Sequence, residues 1–181
     1  MSDFNCAVDF VLENEGGFSA NPHDPGGATN YGISLRFLSK MSVKWLDVYG
    51  LKGKVNEETV RNLTKEQAIL IYRIEFWNKA IFRRIKNQRI VNYVFDCCVH
   101  HGIREGIKIL QGALNVIADL PEKIEKDGIL GYNTVNATNA SADLLIRFLP
   151  VARGCYYWSL VKREPKYMEF LHGWFTRCNH I

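Results

Sequence analysis

Three features of this 181-residue chain predict a mainly α-helical protein. Apolar residues recur at i, i+3, i+4 and i+7 in one segment after another, the stripe of an amphipathic helix. No segment sustains the apolar–polar alternation of a strand, and no internal repeat is present. One stretch, Phe18 to Ser34, has no period at all. It gathers Asn21-Pro22, Asp24-Pro25 and Gly26-Gly27, and so predicts a small irregular loop or β-hairpin after the first helix.

In chain order, Phe4, Ala7, Val8, Val11 and Leu12 form the first stripe. Ser2 or Asp3 supplies its N-cap, and Gly16-Gly17 stops it. Leu35 to Tyr49 is weakly helical and is followed by a Gly- and Lys-bearing connection. Thr64-Lys65-Glu66-Gln67 reads as a capping box opening a helix through Ala68, Ile71, Tyr72, Glu75 and Phe76. Ile90, Val91, Val94, Phe95, Cys98 and Val99 make the next stripe, ended by Gly102. The same spacing predicts helices over 105–118, 132–138, 141–163 and 166–177, with Trp45 and Trp158 assigned to the core.

Composition narrows the function. With 47% apolar and 23% charged residues, the chain is excluded from the disordered class. No run approaches the roughly 18–20 apolar residues of a membrane span. The N-terminus has no basic stretch leading into an apolar one, so synthesis in the cytoplasm without a standard signal peptide is expected. The five cysteines, odd in number and with Cys97 and Cys98 adjacent, read as reduced thiols. No C-x-x-C, H-E-x-x-H or phosphate-loop motif occurs, and neither a metal nor a cofactor is expected. His100-His101 reads as one buried, hydrogen-bonded histidine beside an exposed one.

The net charge of +4 conceals an asymmetry. The first 35 residues hold five acids (Asp3, Asp9, Glu13, Glu15, Asp24) and none of the 23 basic residues. The basic run Arg83-Arg84, Lys86 and Arg89 reads first as a solvated face, then as an attraction for anionic wall polymers; nucleic acid is not an expected partner.

Candidate chemistry lies in the acidic front. Glu15 follows the first helix, where unpaired carbonyls and the negative end of the helix dipole disfavour a second negative charge. Two glycines leave space beside it; Asp24 comes nine residues later and Thr29 five beyond that. An acid facing a better solvated carboxylate across a loop is an arrangement used to cleave glycosidic bonds. By spacing alone, the same residues fit better a surface acid after a helix and an Asx turn before Pro25-Gly26-Gly27.

Glu15-Gly16-Gly17-Phe18 with His23-Asp24-Pro25-Gly26-Gly27-Ala28-Thr29-Asn30-Tyr31-Gly32-Ile33-Ser34 closely resembles the signature of the glycoside hydrolase family 108 N-acetylmuramidases. The resemblance continues through Leu63 to Ala68, Ile71-Tyr72-Arg73, Phe76-Trp77, Val94-Phe95-Asp96 and His101-Gly102. Leu110-Gln111-Gly112-Ala113-Leu114, Asp127 to Gly131 and Thr134 resemble that family's peptidoglycan-binding region, and Gly173-Trp174-Phe175-Thr176-Arg177 resembles its closing G-W-x-x-R. Phe18 departs from the commoner tyrosine, and His100 from the asparagine of F-D-x-x-V-N.

The resemblance implies a lysozyme-like helical fold, with residues 1–103 catalytic and 104–181 a peptidoglycan-binding region packed against them. It implies cleavage of the β-1,4 bond between N-acetylmuramic acid and N-acetylglucosamine, with Glu15 as the essential acid. Asp24 and Thr29 are implied in support, although phage lysozymes place their threonine one residue further on. Phe18, Tyr31, Trp77, His101 and Trp174 are the candidate substrate-binding residues, with packing the alternative for Phe18 and Tyr31 and a core position for Trp77 and Trp174; peptidoglycan glycan strands are the expected partner and a monomer the expected state. The implied setting is the periplasm or cell wall, in phage-type lysis or in toxin and protein secretion. Asp96 is expected to be a buried acceptor for the Asp24–Thr29 loop rather than a catalytic base, and Glu75 to lie on a solvated face.

Overall fold

Helix α1 spans Phe4–Asn14, and the stripe read from the sequence is buried as a unit, with Phe4, Ala7, Val8 and Val11 facing inward. Asp3 caps it, its carboxylate accepting the Asn5 N–H at 2.8 Å. At Glu15 the backbone turns extended, while its N–H still reaches the Val11 carbonyl at 2.9 Å. The computed structural model describes residues 1–20, 27–117 and 123–181, so Asp24 lies outside the described residues.

The aperiodic segment contains a hairpin, β1 (Thr29–Asn30) antiparallel to β2 (Ile33–Ser34), with Thr29 opposite Ser34. Its two-residue turn has φ of 50° at Tyr31 and 76° at Gly32, the paired positive values of a type I′ turn. Glycine meets this demand at little cost; a tyrosine in the left-handed region needs the neighbouring structure to hold it.

Short helices follow: α2 (Leu35–Leu38), α3 (Val43–Val48) and α4 (Glu57–Arg61). The expected weak helix over 35–49 is thus two pieces. The expected connection holds α4, opened by a capping box between Asn56 and Thr59. Asn30 ties the hairpin to the end of α4, its Nδ2 donating to the carbonyls of Val60, Arg61 and Leu63 at 3.1, 3.1 and 3.4 Å. The Val60 and Arg61 carbonyls belong to the last turn of α4, where intrahelical donors run out. Helix α5 (Lys65–Glu75) starts with the predicted Thr64–Gln67 capping box.

Helix α6 (Gln88–His101) runs through the middle, buried on nearly every side from Ile90 to Cys98, and packs against α1, α7 (Ile103–Ile117) and α9 (Ala142–Arg163). Helix α8 (Tyr132–Ala140) precedes α9. The helix expected over 166–177 is instead a 3₁₀ segment, Pro165–Phe170, followed by α10 (Leu171–Cys178). Helix α10 folds back along α9, and this returns the C-terminal end to α1 and α6. Two core assignments are corrected, since Trp45 and Trp158 are each 44% exposed. Trp45 lies on a six-residue helix and, among the described residues, stacks only on Tyr49, 6.3 Å away. Tyr157 takes the inward position on α9, and one residue on, roughly 100° around the helix, Trp158 is turned outward. All five cysteines are free thiols, and burial pushes Cys97 up to about 12.

Candidate active site

Glu15 sits where three elements meet. The end of α1 presents it, the β1–β2 turn covers it, and α10 supplies its partner. A Cβ built on Gly32 would lie 2.7 Å from both Cγ and Cδ of Glu15 and closer still to Tyr72 Oη, so only glycine lets the turn rest on the carboxyl group. Tyr72, buried on α5, fixes that turn by donating its hydroxyl to the Tyr31 carbonyl at 2.7 Å.

Arg177 Nη2 donates to Glu15 Oε1 at 2.6 Å, with both side chains mostly enclosed. The same nitrogen donates to Asp96 Oδ1 at 2.6 Å, and Arg177 Nε donates to Asp96 Oδ2 at 3.0 Å. Arg153 Nη1 adds a bond to Asp96 Oδ2 at 2.7 Å, and Asn14 Nδ2 a long one to Oδ1 at 3.4 Å. Burial opposes the charge on Asp96, yet the hydrogen bonds and charges of Arg177 and Arg153 hold its carboxyl below the usual carboxylate range. The buried charge of Asp96 is thus compensated by two arginines, as buried charges require, and Glu15 is a second acceptor for Arg177.

Asp96 is buried as expected, whereas Glu75 is not where it was expected. Asp96 is a fully buried acceptor whose partners among the described residues are Arg153, Arg177 and Asn14; residues 24–26 of the loop it was expected to hold lie outside the described residues. Both of its oxygens are occupied and no surface remains for substrate. Glu75 is not on a solvated face: it accepts the Tyr49 hydroxyl at 2.7 Å and pairs with Lys79. The lysine-free front has also acquired a cation, since Arg177 reaches Glu15 from 162 residues away. Spacing along the chain carried no signal of that approach; the closing G-W-x-x-R was the only trace of it.

The other candidates fall into separate groups. Thr29 is on β1, bonded through its backbone to Ser19 in both directions at 2.8 Å. Phe18, one residue before that bridge, lies under Arg61, whose guanidinium is 3.9 Å from the ring centroid. Tyr31 occupies the turn over Glu15. Trp77 is set apart, packed among Phe4, Phe95 and Phe82 with ring centroids 5.4, 5.6 and 5.4 Å away.

His101 and Trp174 share an aromatic cavity of about 430 Å³ with His100, Tyr156, Tyr167 and Phe170. Trp174 stacks on Tyr157 at 4.7 Å and, with His100 and Arg177, also lines an adjoining cavity of about 600 Å³. Neither histidine is exposed; their rings lie 4.5 Å apart, which corrects the expected buried–exposed pair. His100 Nδ1 contacts the Tyr157 hydroxyl at 3.0 Å, while His101 Nε2 is buried without a partner among the described residues. Burial, then the neighbouring imidazole and the two arginines, pushes His101 far below the usual imidazole range and keeps it neutral.

The Leu110–Thr134 motif closes on itself. Gln111 donates to Asp127 Oδ1 at 2.7 Å and accepts the Gly128 N–H at 2.9 Å, which pins that turn to α7. A cavity of about 960 Å³ opens beside it, with Tyr132 and Asn133 on its wall. Arg83, Arg84, Lys86 and Arg89 are exposed, and the Arg84 guanidinium lies 4.8 Å over the Tyr132 ring.

Residues 8–102 match the family described as Glycosyl hydrolase 108, and residues 105–179 match the one described as Predicted Peptidoglycan domain. Among solved structures, Brucella abortus SagA is 31% identical with a TM-score of 0.74, the match covering 97% of this chain and 88% of that one. No curated protein matches the chain.

Proposed function

The chain belongs to the glycosyl hydrolase 108 family, and from that membership we propose that it is an N-acetylmuramidase with Glu15 as general acid. A glycoside hydrolase with a peptidoglycan region acts on the cell wall. The finer reading is that it cleaves the β-1,4 bond between N-acetylmuramic acid and N-acetylglucosamine, as a monomer working on glycan strands.

One observation carries this reading. Glu15 Oε1 is taken by Arg177, whereas Oε2 bonds to no described residue. A carboxyl group held by one oxygen leaves the other to carry a proton to the leaving group. In the proposed step that proton passes to the glycosidic oxygen as its bond to the anomeric carbon breaks. The carboxylate that forms is received by Arg177, so the charge developing in the transition state meets a donor already in place. Water then adds to the anomeric carbon, and its proton restores the acid. Asp24 is the proposed second carboxylate, with Thr29 assisting from the hairpin whose turn touches Glu15. Phe18 and Tyr31 are proposed to line the glycan groove, and Trp174 and His101 to extend it past Arg177. Trp77, packed among Phe4, Phe82 and Phe95, is left out of the proposed groove.

Glu15→Gln tests the assignment, because the amide oxygen can still accept from Arg177 while the acidic proton is gone. Release of reducing ends from purified sacculi is expected to fall by about 10²–10⁴-fold, with the thermal midpoint and sacculus binding retained. Undiminished release refutes Glu15 as the acid.

A further inference from the structure

We infer that Arg177 is a positioning residue for Glu15, so that the region matched as a peptidoglycan domain completes the hydrolase site rather than only gripping the wall. The inference rests on the reading of Glu15 as the acid.

The donor geometry supports it. Nε and Nη2 of Arg177 bind the two oxygens of Asp96 side-on, at 3.0 and 2.6 Å. This bidentate pairing fixes the plane of the guanidinium. Nη2 has a second hydrogen, and with the plane fixed it has one direction left, toward Glu15 Oε1 at 2.6 Å. Asp96 is itself immobilised: it has no exposed surface, and Arg153 holds Oδ2 at 2.7 Å from an equally buried position. Orientation therefore passes from Arg153 to Asp96 to Arg177 to the carboxyl group that would give up the proton. Such supporting bonds set the orientation of a reacting group, and 1 Å of misplacement can cost about 100-fold in rate.

The two matched regions meet within this chain of contacts. Glu15 and Asp96 belong to residues 8–102, Arg153 and Arg177 to residues 105–179. A module that only bound peptidoglycan would place its effects in KM. A module that orients the acid places them in kcat.

The test uses the full chain, with R177M, R177K and E15Q assayed beside the wild type. Reducing-end release is measured on solubilised, peptide-free glycan strands at a temperature where thermal melts show each protein folded. R177M is expected to lose about 100-fold in kcat with KM nearly unchanged. R177K keeps the charge but cannot bridge both carboxylates with a fixed plane, and is expected to lose about 10-fold. If R177M does not fold, the R177K loss in kcat carries the test. Wild-type kcat in R177K or in folded R177M, or a loss confined to KM, overturns the inference. If E15Q is inactive in that case, the acid assignment survives and only the role of Arg177 falls. If E15Q is fully active, both fall together.

Discussion

Replacing Gly32 with alanine perturbs Glu15 without replacing an ionisable residue. The residue has φ of 76°, where an L side chain costs roughly 1–2 kcal/mol. The new Cβ would also lie 2.7 Å from Glu15 Cγ and Cδ, against the roughly 3.5–4.0 Å of a relaxed carbon contact. Something must therefore move by about 1 Å. Tyr72, on the other side, is fully buried and held by its bond to the Tyr31 carbonyl, so Glu15 is the group that yields. Overpacking of this kind costs about 1–3 kcal/mol, and together with the backbone strain the loss is about 2–5 kcal/mol. A domain stable by about 5–15 kcal/mol can survive that loss. A 1 Å displacement of the acid is expected to lower turnover by about 100-fold. Gly53→Ala is the control, because Gly53 has φ of 83° and open space around its Cβ. It carries the same strain, about 1–2 kcal/mol, and is expected to leave turnover intact. Urea midpoints and reducing-end release are measured on both variants. If G32A were destabilised yet turned over at the wild-type rate, the position of Glu15 would not depend on the turn above it.

Two further outcomes test the packing and the charge cluster. Trp77→Ala removes a ring from the Phe4–Phe82–Phe95 cluster, and is expected to cost about 3 kcal/mol without raising KM; a raised KM with unchanged stability would instead make Trp77 a sugar-stacking residue. Asp96→Asn leaves two arginines short of a charge and is expected to cost about 3–5 kcal/mol at neutral pH. Because the folded-state pKa of Asp96 is depressed, its contribution is present above the unfolded value of about 3.9 and is lost as pH falls through the folded value. Urea midpoints of wild type and D96N should therefore converge under strong acid, and parallel curves down to pH about 2 would contradict the pairing.

Much of the fold was legible because its signals are local. The stripe of α1, the Thr64–Gln67 capping box and the buried face of α6 each depend on residues within a few turns of one another. Helix α4 escaped because its five residues are too few for a period, although Asn56, Thr59 and the acids Glu57 and Glu58 of its first turn signalled it. The candidate acid was marked by Glu15-Gly16-Gly17, whereas the turn at Tyr31-Gly32 was not singled out within the aperiodic stretch, whose turn signals lay at Asn21-Pro22, Asp24-Pro25 and Gly26-Gly27. The Arg177–Glu15 bond was not legible, since it depends on how α10 packs back along α9. The charge asymmetry misled for the same reason: a front without lysine or arginine in sequence is completed by an arginine in space. Trp77 shows the limit of residue type, because a tryptophan suited to a sugar face is equally suited to an aromatic core.

Digestion of sacculi in ¹⁸O-water, with mass analysis of the products, tests most directly whether this chain is a muramidase acting through Glu15. The wild type is expected to place one ¹⁸O at the anomeric carbon of N-acetylmuramic acid, and E15Q to place almost none. Label on N-acetylglucosamine, anhydro-ended products without label, or full labelling by E15Q would contradict it.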